Sequence, residues 1–478
     1  MIIPDPETGE RRLLIVTSQY PPMGGTNVQR VFKLTKVLPT LGWKPWVVTL
    51  DIPPSAQFDA EVLRELPDAV TVVRSANLDP FVFFARGRSG PRRDPRAGDP
   101  PAAPAAPAPD ARTGKERRSV RLNPLGWLSS LTLSFLRYFV FIPDGLTLWV
   151  PTATIAAYRA LRAHRIPIVM SSAPSYSSHL VGLLLKRLTG RPWIADFRDL
   201  WVGRPYRPSL VGWRGAWDAT LERAVVRSAD RILCASPRYI DHMRARHGAA
   251  AAEKSIWIPV GYDANDFPDG GDEGDRSPEL RVVCVGFSAA NLTPFFQALE
   301  RVSAGAPELT GHLEIRLMGS PSPDDVRSLQ EFAATRRLGA RVSFLGRLPH
   351  DACVRHQREA DLLLLVLEIA DGDTVRGQAF ECMASGKPIF AVLPSGGILE
   401  SLVRPSGLAI IAKQGEVDDI ATHLEVALRQ LRAGTSWARI DRDYVRRFET
   451  RNLAARVVGI IEELLEKSPG SGTSAARP

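Results

Sequence analysis

Short apolar runs alternate along the chain with stretches in which apolar positions return at helical spacing. Leu13-Leu14-Ile15-Val16-Thr17 reads as a short buried strand, which Tyr20-Pro21-Pro22-Met23-Gly24-Gly25 breaks. Val28, Val31, Phe32, Thr35 and Leu38 then mark one helix face before Gly42, and Trp46 to Leu50 gives the next strand. Strand, glycine turn, helix and strand make a parallel β-α-β unit with a right-handed crossover. The rhythm continues with a helix over Ile155 to His164, a strand over Ile166 to Met170, a helix over Ser175 to Leu188, and a strand at Trp193 to Ala195. Beyond the Gly/Asp-rich stretch Asp269 to Pro278, strands are expected at Leu280 to Val285, Leu313 to Met318, Val342 to Leu345 and within Ala360 to Val366. Ile420 to Leu431 and Leu453 to Leu465 carry helical periodicity. Strands alternating with helices in this way predict an α/β protein with parallel sheets.

Asp371 to Val392, DGDTVRGQAFECMASGKPIFAV, holds the densest chemistry. A polar loop feeds a helix carrying Ala379, Phe380, Met383 and Ala384, Gly386 stops it, and Ile389 to Val392 follow as a buried strand. The freed N–H groups and positive dipole end of such a helix suit an anion such as a phosphate. Asp373 and Glu381 bracket the loop and could each accept hydrogen bonds from sugar or ribose hydroxyls; an ordinary surface loop and amphipathic helix would look the same by spacing alone. At the ends of the earlier strands, where open α/β sheets bind ligands, lie Ser171-Ser172-Ala173-Pro174 and Asp196-Phe197-Arg198-Asp199-Leu200-Trp201. An arginine between two carboxylates either makes a structural ion pair or fixes hydroxyls of a substrate.

VRGQAFECMASGKPIFAV resembles the donor-site signature of retaining nucleotide-sugar glycosyltransferases of the GT-B type, and more narrowly of family 4, whose usual pattern is a Glu-x7-Glu pair. SSAPSYSSHLVGLLLKRLTGRPWIADFRDLW resembles the first domain of a bacterial subgroup of that family, and Ile258-Pro259-Val260-Gly261-Tyr262-Asp263 resembles its "IPNGVD" segment with Val260 in place of Asn. The resemblance implies two Rossmann-like, doubly wound parallel-sheet domains facing across a cleft. Their expected bounds are 11–268 on the acceptor side and 279–440 on the donor side, followed by C-terminal helices at 441–467, the last crossing back to the first domain, and a loose tail at 468–478. It also implies that Glu381 holds the donor ribose and Asp373 meets the transferred sugar. Thr374, Arg376, Gly377, Gln378 and Phe380 join the donor site, with Gly24 and Gly25 facing the donor phosphates and Arg347 near base or phosphate. His179 and Asp199, with Asp373, are the candidates beside the reacting centre, and Asp196 and Arg198 those for the acceptor. This chain departs from the pattern where Asp373 replaces the first Glu, where Gln378 stands for a common Lys, and after Gly286, where Arg and Lys are usual.

The function so implied is transfer of a sugar from a nucleoside-diphosphate sugar to an acceptor hydroxyl, with lipid-linked or cell-envelope glycans as the acceptor class. The alternative is a catalytically degenerate homologue that binds sugar nucleotide or a partner glycosyltransferase. No metal or other cofactor is expected, because the helix dipole takes the cation's place beside the leaving diphosphate.

Composition adjusts this picture in three places. At 478 residues the chain can form two or three domains with substantial cores. Four scattered cysteines, with no C-x-x-C pair and no secretory leader, fit a reducing cytoplasm. The formal charge of +9 is local: residues 86–121 hold ten Lys/Arg against four Asp/Glu in a Pro/Ala-rich tract expected to be disordered. A nucleic-acid groove would spread its cations over folded elements, so none is expected. Residues 122–142 bring Leu128, Leu131, Phe135, Phe139 and Ile142 to roughly helical spacing. They read either as a core or groove-lining helix, or as an interfacial helix that docks with the basic tract on an anionic membrane. The second reading places the protein peripherally on the inner face of the plasma membrane.

Overall fold

The computed structural model describes residues 10–52, 60–78, 141–203, 212–268, 279–336, 338–368 and 372–467. The basic tract at 86–121, the apolar segment up to residue 140, the linker at 269–278, Asp371 and the tail at 468–478 lie outside the described residues.

Two fully parallel sheets organise the rest. The first has seven strands, β1 (Arg11–Thr17), β2 (Trp43–Leu50), β3 (Thr71–Ser75), β4 (Ile168–Ala173), β5 (Trp193–Phe197), β6 (Arg231–Cys234) and β7 (Ser255–Trp257), in the order β3-β2-β1-β4-β5-β6-β7. The second has β8 (Leu280–Val285), β9 (Leu313–Met318), β10 (Ala340–Gly346), β11 (Leu362–Val366), β12 (Ile389–Leu393) and β13 (Ala409–Lys413), in the order β10-β9-β8-β11-β12-β13. In both, the order reverses beside the first strand, which opens a crevice at the carboxyl ends of the strands. Register keeps the apolar runs level: Ile15 lies beside Val47 on one side and Met170 on the other, and Val283 lies beside Leu363.

The helices that matter for function are α1 (Thr26–Val37), α2 (Val150–Ala163), α3 (Ser177–Thr189), α4 (Trp213–Ser228), α5 (Pro237–His247), α6 (Ala289–Gly305), α7 (Gly377–Ala384), α8 (Val417–Arg432) and α9 (Thr450–Glu466). Helices α2, α3 and α4 cover one face of the first sheet, sharing a core with Leu14, Val169 and Ala195. On the other face, α1 and α9 close over Leu13, Ile15, Ile168 and Ile194. Helix α9 thus returns from the C-terminal end of the chain to pack on the first lobe, and Arg231 of β6 ties to its Glu463 at 2.7 Å.

Strand β3 is not apparent in the apolar pattern, because it is an edge strand whose residues Thr71 to Arg74 are only half-buried. The helix expected from Ile155 starts earlier, at Val150, with Pro151 in its first turn, where a missing N–H costs nothing. Gly386, left-handed at φ 68°, sits just past α7 as the stop expected there.

Gly261 lies between the lobes at φ 70°, and a Cβ there would sit 2.3 Å from the Phe448 carbonyl oxygen. Backbone and space both demand glycine. Gly261→Ala is expected to destabilise the protein by at least about 2 kcal/mol in urea titration.

Candidate functional site between the lobes

The seat starts at the carboxyl edge of the second sheet. Arg376 is the residue before α7; its backbone is extended and its side chain makes no cap, so the first N–H groups of the helix find no side-chain acceptor among the described residues. Just before it, the Thr374 hydroxyl oxygen is buried with no hydrogen-bond partner among the described residues. A helix start and an orphaned hydroxyl side by side suit an oxyanion that donates nothing and accepts several hydrogen bonds.

Bare backbone forms the floor. Gly286, at the end of β8, has φ 73°, and a Cβ on it would meet the Gln378 side-chain amide at 2.4 Å. Gly319 lies against it, its own Cβ position only 3.2 Å from the Gly286 Cα. Arg376 supplies charge: burial pushes the Cys284 thiol of β8 up to about 12, and the guanidinium of Arg376 is near enough to oppose that shift. Where cations would be usual after Gly286, Ser288 instead caps α6 and donates to Glu368 at 2.6 Å. Arg347 follows β10 on the exposed rim.

The first lobe closes from above. Ser236, at the end of β6, donates to the Asp373 backbone carbonyl at 2.8 Å, and Arg238 in the first turn of α5 stands 3.7 Å from the Asp373 carboxylate. Arg238 also reaches the Gly396 carbonyl at 3.2 Å. From α1, Lys33 extends to within 3.5 Å of Glu381, although only 7% of its side chain is exposed. Val260 packs on Gly377, lying 3.7 Å from where a Cβ would be. Gly25 begins α1 at φ 109° beside Gly24, and nothing lies within 4 Å of its absent Cβ, so a ligand can approach the backbone there.

Below Glu381, His350 donates to Asp266 at 2.8 Å. That hydrogen bond, helped by the charge of Glu381, raises the histidine's pKa above its ordinary value against the pull of desolvation. The pair therefore stabilises fully below the ordinary histidine pKa of about 6.5, and the gain fades as pH rises through the raised value. The stability difference between wild type and His350→Gln is expected to shrink accordingly across that window in pH-dependent urea titrations.

Of the residues singled out in the sequence, Asp373, Thr374, Arg376, Gly377, Gln378 and Glu381 come together here on one loop-helix unit, while Gly24 and Gly25 precede α1, the helix whose Lys33 meets Glu381. Three direct contacts expected of others do not fit. His179 has no exposed surface: it is held by Ser171 at 2.8 Å and packs tilted against the Phe197 ring, and burial pushes its pKa down to about 3. The imidazole is neutral, and its Nε2 is buried with no hydrogen-bond partner among the described residues. Asp196 is likewise fully buried, gripped by Arg30 at 2.7 Å and Ser172 at 2.7 Å, so it does form a structural ion pair, with Arg30 of α1 as the cation in place of the neighbouring arginine expected from the sequence. Phe380 faces inward onto Phe448 as core. Arg198 and Asp199 remain half-exposed beyond β5.

The sequence reading missed Lys33, Ser236 and Arg238. Ser236-Pro237 after an apolar run is a readable helix start at a strand's carboxyl end, and could have flagged two of them. Lys33 carried no such signal, since it lies between the apolar positions of α1. Among the described residues, no cluster of three His, Cys, Asp or Glu side chains is arranged to hold a metal ion, and no helix is long and apolar enough to cross a membrane.

The profile of a family described as "Glycosyl transferase 4-like domain" matches residues 28–261. Solved structures match nearly end to end. Sucrose-phosphate synthase from Thermosynechococcus elongatus superposes with a TM-score of 0.62 at 16% identity, over 96% of this chain and 100% of that one. Anabaena Alr3699/HepE, in complex with UDP and glucose, gives 0.58 at 15% identity, over 95% and 100%. WaaG, a glycosyltransferase involved in lipopolysaccharide biosynthesis, gives 0.54 at 14% identity, over 94% and 99%. At these identities the likeness is one of fold. No curated protein matches.

Proposed function

We propose, for a chain that belongs to the GT-B glycosyltransferases of family 4, that it moves a sugar with retention of configuration from a nucleoside-diphosphate donor to an acceptor hydroxyl at the cytoplasmic membrane face. The observation that carries the donor half is the orphaned Thr374 hydroxyl beside the uncapped start of α7. There the diphosphate would take the free N–H groups and the Arg376 guanidinium, beside the Gln378 amide that Gly286 leaves room for.

Glu381 would accept from the ribose hydroxyls, releasing or sharing Lys33. Asp373, held by Ser236 through its carbonyl, would meet the transferred sugar. As the glycosidic bond breaks, charge grows on the leaving diphosphate, and fixed dipoles plus Arg376 stabilise it without reorganisation. No metal is assigned to this site. No side chain here is placed as a nucleophile; the acceptor oxygen would attack beside the leaving phosphate while the closed lobes exclude water. The described structure of HepE with UDP and glucose supports a nucleotide-sugar donor, and WaaG, involved in lipopolysaccharide biosynthesis, supports an envelope glycan or lipid-linked acceptor.

One observation favours a second reading, a homologue that binds donor without turnover. Glu368 and Gln378 occupy the region where cations would face the pyrophosphate. Incubation with radiolabelled UDP- and GDP-sugars, with and without membrane lipid extract, separates the two. Transfer, or slow donor hydrolysis, supports the enzyme; donor binding with neither supports the second reading.

A further inference from the structure

We infer that the outer surface of α2, α3 and α4 is a docking face for an anionic lipid bilayer. The three helices lie side by side, α3 between the other two, with their inner sides in one core. Their outward stripes are apolar where a soluble surface would be polar: Ile155 and Tyr158 on α2, Leu184 and Leu188 on α3, Trp213 and Trp217 on α4 are all exposed, Trp217 by 55% and Leu188 by 60%. The members of each pair are three or four residues apart, so they share a helix face. Scattered apolar side chains are ordinary, but three parallel pairs on adjacent helices make a patch.

Charge around that patch has one sign. No Asp or Glu occurs between Asp144 and Asp196, a stretch that carries Arg159, Arg162, Arg165, Lys186, Arg187 and Arg191. The acids nearest the face are used internally. Asp144 caps α3 through Ser177 at 2.7 Å, Asp218 and Glu222 of α4 are buried, and Asp230 is taken by Lys186 at 2.7 Å. Arg159, Arg162, Arg187 and Arg223 are exposed and pair with no carboxylate among the described residues. Arg191, just past α3, donates to the Leu161 carbonyl of α2 at 2.9 Å and lies close enough to Arg162 to feel its charge, so cations crowd at that end of the face.

Like charges held close with no counter-ion cost stability. Aromatic and aliphatic side chains that enter the headgroup layer, ringed by arginines that meet lipid phosphate, would offset that cost. Two other occupants fit worse. A second copy would bring a cationic face to a cationic face, and the tract at 86–121 carries its own net +6. The face would hold the enzyme beside the lipid-linked acceptor proposed above, yet its affinity for vesicles is measurable without any transfer.

The test is co-sedimentation of the full-length protein with vesicles of phosphatidylcholine alone and of equal parts phosphatidylcholine and phosphatidylglycerol. The protein is expected to pellet with the anionic vesicles only, and to be released as salt screens the contact. The variant Arg159→Glu/Arg162→Glu/Arg187→Glu/Arg223→Glu should lower partitioning by about 100-fold or more, and Leu188→Ser/Trp217→Ser should lower it measurably. Neither should melt below the wild type, and both should keep its donor hydrolysis, so loss of docking is separable from failure of the donor site. In contrast, Arg112→Glu/Lys115→Glu/Arg117→Glu/Arg118→Glu, which lies in the tract, should leave at least half of the binding. Absence of binding to anionic vesicles, or full binding by the four-arginine variant, overturns the inference.

Discussion

Arg30→Met is expected to cost about 3–5 kcal/mol of stability and to lower the melting temperature by about 10 °C or more. Arg30 reaches from α1 across the first sheet to Asp196 at the end of β5, where Nε lies 2.9 Å and Nη2 2.7 Å from the carboxylate. Asp196 has no exposed surface, and Arg30 only 7%. Once the guanidinium is gone, the carboxylate keeps a single hydrogen bond, from Ser172, in a wall of Met170, Leu233 and Ile258. The cavity of about 30 Å³ beside it has room for a water, which is a weak substitute for a guanidinium. Removing both charges with Arg30→Met/Asp196→Leu should cost less than the sum of the single changes, because neither partner is then left charged and alone. Chemical denaturation of the three variants measures this; a single-variant loss under about 1 kcal/mol would mean the pair is not a structural element of the lobe.

Asp196 also shows what could be read from the chain and what could not. The apolar runs predict the parallel strands well, since a strand buried on both faces must be continuously apolar, as Leu362 to Val366 and Ile389 to Leu393 are. The donor loop was legible because its chemistry is contiguous: helix start, Arg376 and Glu381 lie within a single turn-helix unit. The cleft's other wall was not, since it is assembled from distant segments. Lys33 meets Glu381 across 348 positions and Ser236 meets Asp373 across 137. Nothing local marks a lysine on a mostly apolar helix as a cleft residue. Asp196 and His179 show the converse: a polar residue at a strand's carboxyl end, or in the first turn of the helix that follows one, looks functional, while its burial and its partners are properties of the folded lobe.

The second large effect concerns Glu381. It lies in α7 with 15% of its side chain exposed, opposite Lys33 and close enough to His350 to influence its protonation. In the proposed complex its carboxylate accepts from two ribose hydroxyls in a partly dry cleft. Hydrogen bonds to a charged acceptor are worth about 1.5–3 kcal/mol each, and truncation removes them together. Lys33, itself buried, also loses its partner, so Glu381→Ala is expected to bring a modest stability loss that thermal melts register separately. The Lys33→Met/Glu381→Gln pair provides the control: it removes the interlobe ion pair while keeping the side-chain shape at 381.

The most direct measurement is calorimetric titration of UDP and GDP into the wild-type protein and Glu381→Ala, each first shown to be folded by thermal melting. One of the two nucleotides is expected to bind the wild type, and the substitution to weaken that binding by about 10–100-fold. Equal affinity in both proteins would contradict a donor seat at the start of α7.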